Sequence, residues 1–145
     1  MAGTTERDLI VGVIQLANLL TRRLAPVFEK SKITPQQWAV LSVLGESDAP
    51  MTLAGLARKL LVSKQNMTGM VDRLLQLGLI ERSSDPTDAR AARIQLSRRG
   101  RTLIEKMTPA YEEWRESLGS DMPARDLQAL ERGVNRLIAQ LEEAP

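Results

Sequence analysis

A short polar segment, SSDPTDARAARIQL from Ser83 to Leu96, separates two strand-like runs and carries a carboxylate and a guanidinium two residues apart. In an extended stretch Asp88 and Arg90 point the same way, so the carboxylate can hold the guanidinium by paired hydrogen bonds. An arginine held at the tip of a turn can enter a DNA minor groove, whose negative potential attracts it. The alternative is an ordinary surface ion pair, which contributes at most about 1 kcal/mol.

A second polar surface is predicted on a helix just before this segment. At about 100° per residue, the apolar residues of the helix fall on one side. The opposite side carries Gln65, Thr68, Gly69, Asp72 and Gln76. The first turn, SKQN, supplies amides that can pair with adenine edges and a lysine for guanine or phosphate. Thr68 and Gly69 are small enough to allow close approach, and Asp72 is expected to bond Arg73 or a nearby backbone group. The alternative is the solvated face of any surface helix.

Composition excludes several classes of site. The 145 residues, 43% hydrophobic and 26% charged, suit a single compact domain or a small pair of subdomains. Since the chain has no cysteine and no histidine, it cannot form a disulfide, a Cys/His zinc site, a thiol sensor or a histidine base. No spacing of oxygen ligands suggests a metal, and no cofactor is predicted. Asp85 and Asp88 have no nucleophile or base to complete a catalytic set, so an enzyme is not expected.

Charge is distributed unevenly along the chain. Residues 51–106 hold eleven Lys/Arg against five Asp/Glu, a net +6, whereas the rest holds nine against thirteen, a net −4. A basic middle predicts a unit that faces a polyanion. We see no apolar run approaching the roughly 18–20 residues of a membrane span, and no signal peptide, so the sequence predicts a cytoplasmic protein without a membrane partner.

Two short helices joined by a tight turn occupy the middle of the chain. Thr52 can cap TLAGLARKL, and Ser63 can cap SKQNMTGMVDRLLQLG, which ends at Gly78. Only Leu61 and Val62 separate the two segments. No antiparallel arrangement is possible across so short a connection, so the pair is predicted to form a helix-turn-helix. Short strands at Leu79–Arg82 and Ala92–Leu96 then predict a hairpin that holds the polar segment at its tip.

Helices are predicted on both sides of this unit. Apolar steps of three and four indicate a long first helix from about Glu6 to Lys30. Thr34, Pro35 and Gln37 form the start of a second. Ser97 can cap a fifth that runs to about Ser117, and Pro123 opens a sixth. This last helix carries a heptad seam of Leu127, Leu130, Val134, Leu137 and Leu141. The seam can pack on the chain's own first helix or on a second copy of the chain.

The order of these elements resembles the MarR family of winged-helix transcription regulators over nearly the whole chain. The most specific segment is GLIERSSDPTDARAARIQLSRRG, Gly78 to Gly100, which looks like the family's wing, with Asp88 and Arg90 at the signature acid and arginine. The resemblance implies a mainly α fold with a small β-hairpin wing, a winged helix-turn-helix on a helical dimerisation stalk. It implies a dimerisation region at residues 1–32 and 103–145 and a DNA-binding region at 33–102.

The same resemblance implies the partners and the residues that contact them. The partners would be a second copy of the chain and double-stranded DNA with a palindromic operator, and a small aromatic or lipophilic effector would release the DNA. The expected DNA-binding residues are Ser63, Lys64, Gln65, Asn66, Thr68, Gly69, Arg73, Asp88, Arg90 and Arg93. The aromatic residues available to line an effector pocket, or simply to fill the core, are Phe28, Trp38, Tyr111 and Trp114.

The leading hypothesis is therefore a sequence-specific, DNA-binding transcriptional regulator, a homodimeric repressor. The alternative is a winged-helix module that binds a protein partner or binds duplex DNA architecturally, without sequence preference. Sequence-specific DNA binding should survive an excess of random duplex, whereas architectural binding should be competed away. A protein-interaction module should show neither kind of DNA binding.

Overall fold

The protein was analysed as a computed structural model, which describes residues 6–84, 87 and 92–143. Helix α1 (Glu6–Phe28) ends in a 3₁₀ turn (Glu29–Ser31), and the remaining elements follow in chain order. These are α2 (Pro35–Glu46), β1 (Met51–Thr52), α3 (Leu53–Leu60), α4 (Lys64–Gln76), β2 (Ile80–Ser83), β3 (Arg93–Leu96), α5 (Arg98–Ser117) and α6 (Ala124–Glu143). The mainly α architecture with a small β wing that the sequence predicts is confirmed.

The helix starts in the middle of the chain are fixed by side-chain caps. Thr34 Oγ1 accepts from Gln37 N at 3.1 Å while Gln37 Oε1 accepts from Thr34 N at 2.9 Å, which is the predicted capping box of α2. Thr52 caps α3 by accepting from Gly55 N, and Ser63 caps α4. Each cap satisfies an amide that the first helical turn leaves without a partner.

The sheet has three antiparallel strands in the order β1-β3-β2. Strands β2 and β3 form the predicted hairpin, with Ile80 opposite Leu96 and Ser83 opposite Arg93. Strand β1 was not predicted, because its two residues show no strand periodicity; it pairs Met51 with Ile94 and Thr52 with Arg93. This pairing ties the start of α3 to the base of the wing.

The chain divides into two compact units, Met1–Ala110 and Tyr111–Pro145. The first unit contains all the buried apolar residues that the structure describes. Phe28 and Trp38 stack with ring centroids 4.8 Å apart. The rest of this core comes from α2, α3, α4, the hairpin strands and α5, with Ile33 and Leu79 from the segments before α2 and β2. The fully buried side chains are Phe28, Val40, Leu41, Leu56, Met67, Val71, Leu74 and Ile94.

The second unit contains the end of α5 and all of α6. At the turn between them Gly119 adopts a φ of +74°, which favours glycine, and a Cβ at this position would lie 2.8 Å from Leu127 Cδ2. Arg115 donates hydrogen bonds to Glu112 Oε2 from Nε, over 2.8 Å, and from Nη2. This interaction raises the pKa of the Arg115 guanidinium.

Apolar residues of α1 are exposed in the single chain. They are 44–60% exposed and comprise Leu9, Ile10, Val11, Val13, Ile14, Leu16 and Leu19. Residues Asp8–Ser31 are long and apolar enough to cross a membrane by length and composition, which the expectation of no apolar run of that length did not anticipate. That expectation counted only uninterrupted apolar runs. A helix that packs against other protein helices passes the same test.

Candidate nucleic-acid interface

Helix α4 is held by a sharp turn from α3. Leu61 caps α3 with a left-handed φ of 55°, and Val62 N donates to Ala57 O over 3.0 Å. Two residues after Leu61, Ser63 begins the capped start of α4. Met67, Val71 and Leu74 are buried on the inner face of α4, so the opposite face of the helix is turned outward.

The outward face of α4 contains the polar residues that the sequence singled out. All of the following are exposed: Ser63, Lys64, Gln65, Asn66, Thr68, Gly69, Asp72 and Arg73. Gln65, Thr68, Gly69 and Asp72 lie opposite the buried side of the helix, Ser63, Lys64 and Asn66 are exposed at its start, and Arg73 follows one turn after Gly69. The structure places all of them on α4 or at its start, exposed; their contact with DNA stays a prediction.

Some of these polar groups are already engaged within the helix. Ser63 Oγ accepts from Asn66 N at 3.1 Å, and Thr68 Oγ1 donates to Lys64 O at 2.9 Å. The side chains of Lys64, Gln65 and Arg73 form no hydrogen bond or ion pair with any residue that the structure describes. Their donors and acceptors are therefore available to a partner outside the chain.

Asp72 differs from its predicted role. Within the described stretches of the chain, neither Arg73 nor a backbone group nearby bonds its carboxylate. Adjacent positions lie about 100° apart around a helix, so the two side chains point in different directions. Asp72 leaves one negative charge on an otherwise neutral or cationic surface.

A groove runs between the start of α2 and the outer side of α4. Its volume is about 670 Å³. The α2 side contributes Thr34, Gln36 and Gln37, the α4 side contributes Gln65, Asn66, Gly69, Met70 and Arg73, and Val62 from the turn before α4 completes the lining. The sequence indicated Thr34 and Gln37 only as capping residues. Their position beside α4 depends on how the two helices pack, which no local motif reports.

The hairpin projects from the same unit, beside α4. Arg93 is the first residue of β3, lies opposite Thr52 and Ser83, and is partly buried. This places the Arg93 side chain at the base of the wing. Asp88 and Arg90, predicted at its tip, lie outside the described residues, so their roles stay predictions.

A compact joint connects α4, the wing and α5. Ser97 Oγ donates to Gly78 O over 2.6 Å and accepts from Gly100 N over 3.0 Å, while Ser97 N donates to Leu79 O over 3.1 Å. Gly100 packs against the same backbone, and a Cβ on it would lie 2.0 Å from Leu79 O. The sequence identified Ser97 only as the cap of α5. The joint also fixes the end of α4 and the start of β2.

The four aromatic residues proposed for an effector pocket are distributed between the two units. Phe28 and Trp38, 0% and 6% exposed, form the stack inside the core of the first unit. Tyr111 and Trp114 belong to the second unit, where their rings stack with centroids 6.4 Å apart. Each pair is thus in contact within its own unit, and an effector role for them stays a prediction.

The comparison with known proteins decides the family. A family model described as MarR family matches residues 31–91, which span α2, both helices of the helix-turn-helix and the first strand of the wing. The chain belongs to the MarR family. It is therefore a DNA-binding transcriptional regulator with a winged helix-turn-helix, and not an enzyme.

Relatives of this MarR-family chain match it over most of its length. The HTH-type transcriptional regulator FarR of Neisseria gonorrhoeae is 25% identical over 92% of this chain and 90% of its own. The homoprotocatechuate degradative operon repressor of Escherichia coli is 24% identical over 91% and 88%. The structure of the S. aureus MepR–DNA complex, 19% identical, superposes with a TM-score of 0.81 over 97% of this chain and 99% of that one. This last similarity shows that the two proteins share a fold.

Proposed function

We propose that this MarR-family regulator is a homodimeric repressor that binds a palindromic operator and is released by a small-molecule effector. The observation that carries the proposal is the outward face of α4, where unengaged amide and cationic side chains line one surface of a rigid helix. An α-helix with such a face matches the width of a DNA major groove and the hydrogen-bonding pattern of its base edges.

The dimer is inferred from apolar surface that the single chain leaves exposed. The residues of α1 named above are 44–60% exposed, and on α6 the heptad seam and Ile138 are 37–73% exposed. Contiguous exposed apolar surface on a soluble protein marks an interaction site, and two copies of one chain present identical faces to each other. We infer that a second copy covers both helices.

The residues of α4 divide into two groups by the contacts we propose. Lys64, Gln65, Asn66 and Thr68 contact base edges in the major groove, with Ser63 at the helix start. Arg73, which lines the protein groove between α2 and α4, contacts phosphate. Phosphate contacts set position and affinity, whereas base contacts set sequence preference.

The wing supplies the second proposed contact of each half-site. Arg90 enters the adjacent minor groove, Asp88 orients its guanidinium, and Arg93 supports the base of the wing. This assignment rests on the wing motif of the sequence and on the position of β2, the first strand of the wing, next to α4. Major-groove and minor-groove contacts from one rigid unit fix its orientation on the duplex.

Repression and its release follow from the geometry of two linked copies of the chain. Two copies of α4 engage one DNA only when they are spaced to match successive major grooves, about 34–36 Å apart. We propose that an aromatic or lipophilic effector changes that spacing and lowers the affinity, with Phe28, Trp38, Tyr111 and Trp114 as its candidate contacts. We also propose that the protein, as a transcriptional regulator, acts in the cytoplasm.

Selection of bound duplexes from a random pool, with purified full-length protein at near-physiological salt, tests this proposal. We expect enrichment of an inverted repeat whose half-sites lie about one helical turn apart. Binding of the enriched duplex should survive excess random duplex. Binding that the random duplex competes away indicates an architectural DNA-binding module, and no DNA binding by a folded dimer indicates a protein-interaction module.

A further inference from the structure

We propose that Gly69 is a specificity-determining residue, and that its missing side chain accepts the C5 methyl group of a thymine in the operator. The inference rests on the proposed operator binding by α4 and deepens it, because it names the base that this position of the helix recognises. Gly12 and Gly133 also have nothing within 4 Å of a built Cβ, so the inference is carried by the position of Gly69 on the exposed side of α4, the helix proposed to bind DNA.

The fold gives no reason for a glycine at position 69. It lies inside α4, its φ is not in the left-handed region, and a Cβ built there would meet nothing within 4 Å. At Gly100, by contrast, a Cβ would lie 2.0 Å from Leu79 O. Glycine destabilises a helix interior relative to alanine. The lack of a side chain at Gly69 therefore weakens the chain without relieving any contact inside it.

A partner that approaches the helix backbone does give a reason. Gly69 is exposed near the centre of the outward face, one turn after Gln65 and one turn before Arg73. The side chains at these neighbouring positions stand above the bare backbone of Gly69. Gly69 lines the groove together with Gln65 and Arg73, and a Cβ built on it would have nothing within 4 Å among the described residues, which leaves room there for a group of about the size of a methyl.

The chemistry around Gly69 favours an apolar group. Gly69 has no side-chain donor or acceptor, and Val62 and Met70, both partly buried, line the same groove beside it. In the major groove the apolar group presented by a base is the C5 methyl of thymine, which binds apolar surface. Hydrogen bonds from Gln65 to a neighbouring base would hold that methyl against Gly69.

The test combines a change in the protein with a change in the DNA. Wild-type protein, Gly69→Ala and Gly69→Val are titrated against the selected operator and against versions in which each half-site thymine is replaced singly by deoxyuridine, which lacks the methyl. Replacing a thymine outside the half-sites is the DNA control. The melting temperature of each of the three proteins is measured as well. If Gly69 had a purely structural role, its replacement would lower the melting temperature.

We expect one thymine at which deoxyuridine weakens wild-type binding about fourfold, the change expected for one methyl lost from a buried contact. Gly69→Ala should bind the thymine operator at least tenfold more weakly than wild type and recover on the deoxyuridine version, with Gly69→Val weaker still. The melting temperature of Gly69→Ala should equal or exceed that of wild type.

Three results overturn the inference. The first is a selected half-site that contains no thymine, and the second is a wild-type affinity that no deoxyuridine replacement changes. The third is that the effects of Gly69→Ala and of deoxyuridine on affinity are independent, so that the combined fold-change is the product of the two. In each case specific binding by the wild type would leave the proposed function standing. Wild-type protein that enriches no operator overturns the proposed function, and this inference with it.

Discussion

The hydroxyl of Ser97 donates a hydrogen bond of 2.6 Å to the carbonyl oxygen of Gly78, nineteen residues earlier in the chain. The same hydroxyl accepts a hydrogen bond of 3.0 Å from the amide of Gly100. One side chain thus joins the residue that follows the end of α4 to the start of α5. Since Ser97 N also donates to Leu79 O over 3.1 Å, the orientation of α4, the wing and α5 depends on this small cluster.

Replacing Ser97 by alanine should lower the free energy of unfolding by about 2 kcal/mol, because the Gly78 carbonyl and the Gly100 amide lose their partner inside the protein. The control is Thr34→Ala, which removes an exposed cap and should lower it by about 1 kcal/mol. Urea unfolding at one fixed protein concentration measures both, since the stability of the proposed dimer would depend on concentration. Equal losses in the two variants would contradict a special role for the joint.

Replacing Gly100 by alanine should be more damaging than any cap mutation. The new Cβ would lie 2.0 Å from Leu79 O, and both groups belong to backbone, so α5 and the start of β2 must move apart. We expect a loss of about 3 kcal/mol and a lower thermal midpoint. Gly69→Ala, whose Cβ meets nothing, is the matched control. A Gly100→Ala protein as stable as wild type would show that the joint can separate without cost.

Gln65→Ala and Arg73→Ala should have different effects on DNA binding, although both residues are exposed on α4. Removing the proposed base contact of Gln65 should reduce discrimination at one operator position by about 1–3 kcal/mol. Removing the proposed phosphate contact of Arg73 should weaken all sequences alike and reduce the salt slope by about 1. Competition titrations at several salt concentrations measure both quantities. Identical profiles for the two variants would refute the division of roles.

Leu130→Glu in the α6 seam should raise the dimer dissociation constant at least tenfold, because it places a charge in the apolar surface that we propose a second copy covers. The control is Gln128→Glu, which adds the same charge on the polar side of α6. Sedimentation equilibrium of the two variants measures the constant. If both variants associate like wild type, α6 lies outside the interface.

Arg90→Ala should weaken operator binding at least tenfold and leave dimerisation unchanged, since its proposed contact is with the minor groove. Arg125→Ala removes the same charge from α6, where the Arg125 side chain is 88% exposed, and provides the control. Mobility-shift titration measures the affinity, and sedimentation measures the dimer. An unchanged affinity for Arg90→Ala would contradict the minor-groove role of the wing.

Much of this protein follows from its sequence, because the decisive interactions are local. The caps of α2, α3 and α4 join residues three positions apart, so the helix starts can be predicted from the segments themselves. Periodicity along α4 separates the buried Met67, Val71 and Leu74 from the polar face for the same reason. The wing motif carries the family resemblance, and the match to the family confirms it.

Only the tertiary structure decided the interactions between residues far apart in the chain. Strand β1 exists because Met51 and Thr52 pair with β3, and two residues carry no periodicity of their own. The close approach of Gly100 to Leu79, and the groove that α2 forms with α4, depend on how complete helices pack around the core. The sequence alone does not distinguish the glycine at position 69 from the glycine at position 100. Their surroundings show that the fold requires the second, whereas a Cβ at position 69 would have nothing within 4 Å among the described residues.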